Sequence, residues 1–212
     1  AIHTEWGQTH GFAQVKDYDS FTKTSPVNTY EELKSYIDRM RHGEKDVLWS
    51  GQVRWYAKSS GTTNDKSKFI PVSKECLQDT HYRGGTDAVA LYLGQNPRSR
   101  MFDGKALILG GSHSPNYNLP HSLVGDLSAI LIENASPFVN YFRIPSKKVA
   151  LLGDFEEKRE RIAQAAIREN VTNLSGVPSW MLSVLTRVMD ISGKTHLEDV
   201  WPGIEVFFHG GV

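Results

Sequence analysis

Ser59, Ser60, Gly61, Thr62, Thr63, Asn64, Asp65, Lys66, Ser67 and Lys68 follow one another without interruption, placing hydroxyls, one glycine and two lysines in a single short segment. Gly61 lets backbone N–H groups approach a ligand where a side chain would block them, and the hydroxyls can rotate their donors toward phosphate oxygens. Lys66 and Lys68 add positive charge that can sit over a polyphosphate. The chemistry offered is anion holding. The apolar run Val53 to Ala57 precedes the segment and Phe69 to Val72 follows it, so it reads as a turn joining two strands. The pattern is neither a Walker A motif nor a dinucleotide fingerprint, because the spaced glycines leading into a helix are absent. A Ser/Thr/Asn-rich hairpin loop with solvated lysines is the plain alternative, and composition does not separate the two.

Two later segments carry further candidates. Val171 to Ser175, then Gly176, Val177, Pro178, Ser179 and Trp180, read as strand, turn and helix, with Pro178 at a first helical position and Gly193 beyond the helix end. Ile204 to Phe208 reads as a strand running into His209, Gly210 and Gly211. Taken singly, both are also ordinary helix and turn punctuation. His113 follows the strand-like Lys105 to Leu109 and the turn Gly110, Gly111, Ser112, where it is either a pocket residue or a structural histidine. The 8 histidines include no His-x-x-x-His pair and no Cys/His cluster, so no protein-built metal site is expected. No Gly-x-Ser-x-Gly elbow is present to place a nucleophilic serine.

The elements that must position these residues alternate. Thr29 to Glu32 is a capping box, and Tyr30, Leu33, Ile37 and Met40 share one helical face before Gly43. Ser73 opens a helical stretch through Leu93 that Gly84 and Gly85 interrupt, and Leu123 to Asn134 reads as one mostly apolar helix. Asp154 caps a charged amphipathic helix to about Asn170, whose Lys/Glu/Arg run from Glu156 to Arg161 reads as its solvated face. The helix from Pro178 to Ser192 is expected to bury Trp180, Leu185, Val188 and Met189. Strands alternating with helices predict an α/β fold, a layered β-sheet with flanking helices.

Composition bounds the partners. The 212 residues are 39% hydrophobic and 23% charged, an ordinary globular balance. Lys+Arg and Asp+Glu each total 24, so no global field draws the chain to nucleic acid or an anionic membrane, and any anion site must be local. Cys76 is the single cysteine, which excludes an intrachain disulfide and suits a reducing, cytoplasmic location. There is no apolar run of about 18 residues and no basic-then-apolar leader pattern at the N-terminus.

Residues 59 to 72 resemble the phosphate-binding signature of the acyl-adenylating superfamily that includes luciferases, acyl-CoA synthetases and peptide-synthetase adenylation domains. The Ser-Ser-Gly-Thr opening is most similar to the auxin-responsive Gretchen Hagen family of acyl-acid amido synthetases, and specifically to its bacterial homologues. Residues 171 to 180 and 204 to 211 resemble two further elements of that superfamily, in the same order along the chain. The resemblance implies ATP- and Mg²⁺-dependent adenylation of a small carboxylic acid, followed by transfer of the acyl group to an amino acid amine. An acyl-CoA ligase is the alternative enzyme, and a non-catalytic nucleotide-binding module or a purely structural domain is the alternative class. In this reading Ser59, Ser60, Gly61, Thr62 and Thr63 cradle phosphates, and Lys66 and Lys68 neutralise charge in the reaction. His209, Gly210 and Gly211 border the adenine and acyl pocket, while Val177, Pro178, Trp180 and His113 shape its acid-binding wall. Residues 1 to 212 are then expected to form part of the large N-terminal adenylation domain, without the mobile C-terminal domain, and to be inactive alone. The sequence leaves the oligomeric state, the acid and the acceptor open.

Overall fold

The structure is a computed structural model describing residues 1–59 and 67–210. The roles expected of Ser60, Gly61, Thr62, Thr63, Lys66 and Gly211 therefore lie outside the described residues. Seven strands occur among the described residues: β1 Trp55–Lys58, β2 Phe69–Val72, β3 Lys105–Ile108, β4 Leu123–Gly125, β5 Arg143–Ile144, β6 Val171–Ser175 and β7 Val206–Phe208. The chain divides into two compact units, Ala1–His81 with Ser114–Gly125, and Tyr82–His113 with Asp126–Val212.

In the first unit β1 is central, antiparallel to β2 and parallel to β4. The helix Tyr30–Arg41 begins at the expected capping box, where Glu32 accepts from the Thr29 backbone N–H at 2.6 Å. Its apolar face brings Ile37 and Met40 into a core with Val47, Val53, Tyr56 and Val124. Leu123 to Gly125, expected to be helical, is instead strand β4, and the helix begins only at Leu127. The reason is pairing: β1 offers a parallel edge, Val124 is buried beside it, and the extended backbone of Asp126 separates strand from helix.

The interruption expected at Gly84 and Gly85 is also displaced. A π turn spans Cys76–Tyr82, and the regular helix Arg83–Gln95 carries both glycines without a break. Neither glycine needs positive φ, and helical glycine costs only about 1 kcal/mol relative to alanine, too little to end a helix. Tyr82, at the end of the π turn, donates its hydroxyl to the Leu131 carbonyl at 2.9 Å.

The second unit contains a wholly parallel sheet in the order β5-β3-β6-β7. Leu107 and Leu174 from adjacent strands meet Ile162, Ala163 and Ala166 of the helix Phe155–Ala166 and Met181, Val184 and Val188 of the helix Pro178–Ser192. Asp154 caps the first of these helices by accepting from Glu157 N at 2.7 Å, and the helix ends at Ala166, short of Asn170. Glu160 and Arg187 tie the two helices together at 2.6 Å. The buried stripe of the second helix is Met181, Val184, Leu185 and Val188, at helical spacing. Trp180 stands one step off that stripe and is 41% exposed, contrary to the burial expected of it, and Met189 is only partly buried.

Gly176, between β6 and its following helix, has φ +150°, and a Cβ there would stand 2.9 Å from Leu109 Cβ. Gly176→Ala is expected to lower stability by about 2 kcal/mol or more, whereas Gly84→Ala, in open helical space, should raise it by up to about 1 kcal/mol; urea unfolding of each variant checks the contrast.

The carboxylates of Glu5 and Glu44 are held below their usual range chiefly by hydrogen bonds from Arg39, and that of Glu32 by the Thr29 N–H. Depressed folded-state values contribute stability above the unfolded value of 4.5 that is lost as pH falls through the folded ones. The urea midpoint should hold above about pH 4.5 and drop below it, with a shallower drop in Arg39→Gln.

Candidate functional site

The mouth of the hairpin is fixed from both sides. Ser59 N donates to the Lys68 carbonyl at 3.0 Å, extending the β1–β2 ladder by one rung so that Ser59 and Lys68 face each other at the base of the loop. The helix Tyr30–Arg41 buttresses this base: Phe69 N donates to the Tyr30 hydroxyl at 2.9 Å, and the Arg41 guanidinium lies 3.8 Å over the Phe69 ring. Arg41 also donates to the Tyr117 carbonyl at 2.8 Å, and the Lys58 ammonium sits 4.4 Å over the Tyr117 ring. The Lys68 ammonium lies 5.5 Å from the Tyr30 ring centroid, an aromatic contact that leaves its protons available to an anion. The arrangement anchors two lysine-bearing strand ends side by side.

In the second unit the parallel strands put their carboxyl ends on one edge, the place where open α/β sheets bind ligands. The residues leaving β3 there are Leu109, Gly110, Gly111, Ser112 and His113; those leaving β6 are Gly176 and Val177; those leaving β7 are His209 and Gly210. The β3 turn is tightly held. Asp126 accepts from Ser112 N at 2.9 Å, Ser128 accepts from Gly111 N at 2.8 Å, and a Cβ on Gly111 would fall 2.0 Å from the Asp126 carboxylate.

The same turn accepts a buried charge. Lys158, on the helix Phe155–Ala166, is 6% exposed and donates its ammonium to the carbonyls of Gly110 at 2.7 Å and Gly111 at 2.9 Å. Burial pushes its pKa below the usual lysine range, an effect the negative charge of Asp126 partly opposes. Lys158 lines a pocket of about 310 Å³ with Ser112, Phe155, Ser179, Trp180 and Ser183 among its walls. The Phe155 and Trp180 rings stand 5.9 Å apart. An ammonium, three hydroxyls and two aromatic rings thus converge on one space.

Of the described residues given a site role in the sequence, Trp180 alone lines this pocket. Val177 stands in extended conformation at the cap of the following helix and Pro178 at its first position, both outside the lining of this pocket. His113 places Nε2 3.9 Å from Glu133, which also pairs with Lys147 at 2.7 Å. His209 is exposed with its ring 5.2 Å from that of Phe207, and Gly210 is exposed with open space where a Cβ would stand. Lys158 corrects the reading of its charged run as solvated face. Its signal was present: Lys158, Ile162 and Ala166 are spaced by four and share the buried side of the helix. Among the described residues no group of three or more His, Cys, Asp and Glu can hold a metal ion. No helix among them is long and apolar enough to cross a membrane.

The mixed α/β fold with helix-flanked sheets is that of solved acyl acid amido synthetases. The structure titled GH3.15 acyl acid amido synthetase superposes with a TM-score of 0.72 at 20% identity, over 98% of this chain and 44% of that one. A second, AtGH3.15 acyl acid amido synthetase in complex with 2,4-DB, gives 0.66 at 23% identity, over 89% and 33%. A model of the GH3 family N-terminal domain matches residues 1–212, and the chain belongs to this family. It is 40% identical over 63 residues to indole-3-acetic acid-amido synthetase GH3.15 of Arabidopsis thaliana, covering 29% of this chain and 11% of that protein. It is 33% identical over 78 residues to jasmonoyl–L-amino acid synthetase JAR4 of Nicotiana attenuata, covering 36% and 14%. The matched segments are thus a small part of these relatives, and the chain spans less than half of the solved structures it superposes on.

Asp126→Ala removes the acceptor for Ser112 N and a charge that favours the Lys158 ammonium. We expect it to cost about 1.5–3 kcal/mol in urea unfolding, with Asp126→Asn recovering part of the loss.

Proposed function

We propose that the protein to which this chain belongs adenylates a small carboxylic acid with ATP and Mg²⁺, then transfers the acyl group to the amine of an amino acid. The observation that carries the reading is membership of the GH3 family over residues 1–212, with relatives named as amido synthetases of indole-3-acetic and jasmonic acids. Those names favour an amino acid over coenzyme A as acceptor. A bacterial member and a cytoplasmic location complete the proposal, and the chain is read as part of the N-terminal adenylation domain.

Adenylation brings a carboxylate against the α-phosphate of ATP while negative charge grows on departing pyrophosphate, so catalysis calls for fixed donors and cations. Ser59, Ser60, Gly61, Thr62 and Thr63 supply the donors of that site and Lys66 and Lys68 the charge. The described part of the hairpin fits this role, since Ser59 and Lys68 meet at a braced base and Lys68 keeps its ammonium on an aromatic face. Mg²⁺ would come with the nucleotide phosphates and need few protein ligands. His209, Gly210 and Gly211 are assigned to the adenine and acyl border, with Val177, Pro178, Trp180 and His113 toward the acid.

Carboxylate-dependent ATP–pyrophosphate exchange by the full-length protein tests the first step and should require Mg²⁺; no exchange with any acid of a broad panel rejects it. Lys66→Ala and Lys68→Ala should each lower kcat and kcat/KM for exchange by about 10²-fold, as for loss of one fixed transition-state donor, while exposed Lys74→Ala leaves both unchanged. Parental kinetics in both lysine variants would reduce the loop to a solvated turn.

A further inference from the structure

The pocket at the carboxyl edge of the parallel sheet holds more chemistry than helix packing requires. An ammonium has three protons to donate, and two of those on Lys158 go to the Gly110 and Gly111 carbonyls. Among the described residues no third acceptor is bonded to it, and no carboxylate lies within ion-pair distance of it. A side chain only 6% exposed therefore presents to a pocket it lines a positive charge that Asp126, beyond ion-pair distance, offsets only in part. Burying a charge with no ion-pair partner in contact is costly, and an entering anion lowers that cost.

The remaining walls define the rest of such a ligand. Phe155 and Trp180, their rings packed against each other with centroids 5.9 Å apart, offer aromatic surface, and Leu152 adds aliphatic surface. Ser112, Ser179 and Ser183 offer hydroxyls that can donate to a second oxygen. The volume of about 310 Å³ lies at the small end of ligand pockets and suits one ring or a short chain.

We infer that this pocket binds a small carboxylate with an apolar body, its carboxylate against Lys158 and the hydroxyls, its body against the packed Phe155 and Trp180 rings. The inference rests on the amido synthetase reading only for the origin of the ligand, since the acyl acid and the acceptor amino acid both carry a carboxylate.

The test is direct binding to the full-length protein without nucleotide, by calorimetry and tryptophan fluorescence. The probes are benzoate, phenylacetate, hexanoate and L-phenylalanine, with phenylacetamide as an uncharged isostere of phenylacetate. At least one carboxylate should bind, and Lys158→Met should weaken it by about tenfold or more, as when one partner of a buried charge pair is removed. Phenylacetamide should bind more weakly than phenylacetate and respond little to Lys158→Met. Trp180→Ala, which leaves Lys158 and its carbonyl bonds in place, should weaken every carboxylate that binds. If Lys158→Met does not fold, Ser183→Leu, which fills the pocket from the opposite helix, must abolish binding in its stead. The inference is overturned if no carboxylate binds, if folded Lys158→Met and Ser183→Leu both retain parental affinity, or if phenylacetamide binds as tightly as phenylacetate.

Kinetics then separates the two sources. A raised KM for the acid in pyrophosphate exchange assigns the pocket to the acyl donor, and unchanged exchange with a raised KM for the amino acid in amide formation assigns it to the acceptor. Absence of exchange alongside Lys158-dependent binding rejects the adenylation reading and leaves the pocket standing.

Discussion

Parallel pairing of β5, β3, β6 and β7 is the constraint from which the second unit follows. Parallel strands must each return through a crossover, so helices come to lie on the sheet and every strand ends on the same edge. That single edge gathers Gly110 to Ser112, Gly176 to Trp180, and His209 with Gly210, segments separated by many residues in the chain. The crossovers also explain the core, in which Leu107 and Leu174 are covered by the helices that end at Ala166 and begin at Pro178.

Close packing at that edge sets what side chains can be there. Leu109 approaches Gly176 so nearly that a methyl group would collide, and Asp126 occupies the space a side chain on Gly111 would need. Asp126 thereby reaches Ser112 N and adds its field to the Lys158 ammonium. The turn after β3 is thus held by a carboxylate on one side and an ammonium on the other. Two carbonyl bonds keep the ammonium in place without neutralising it, which makes the adjacent pocket electrostatically suited to an anion.

The hairpin of the first unit solves a different problem. A two-stranded β1–β2 pair has little core of its own, so it must be braced by neighbours. Tyr30, Phe69, Tyr117, Lys58 and Arg41 do this through one hydroxyl bond and cation–ring contacts in which the flat faces receive charge. Arg41 is nearly buried yet satisfied in part by the Tyr117 carbonyl and the Phe69 ring, so the helix end and the hairpin are joined by one side chain.

Local chemistry was legible in the sequence. The capping box at Thr29, Asp154 at its helix start, Pro178 and Gly193 around their helix, and the two strands flanking the serine-rich turn all involve residues within a few positions of one another. The ordered motifs also led to the family, because the residues that carry the resemblance are consecutive. What the sequence did not determine were features that depend on distant partners. Leu123 to Gly125 is a strand because β1 lies beside it, and the π turn ahead of Gly84 ends at a tyrosine bonded to Leu131. Lys158 belongs to a charged run in sequence, and only tertiary packing set its ammonium against two carbonyls 47 and 48 residues away. Periodicity can say which face of a helix is turned inward; what waits on that face is decided by the fold.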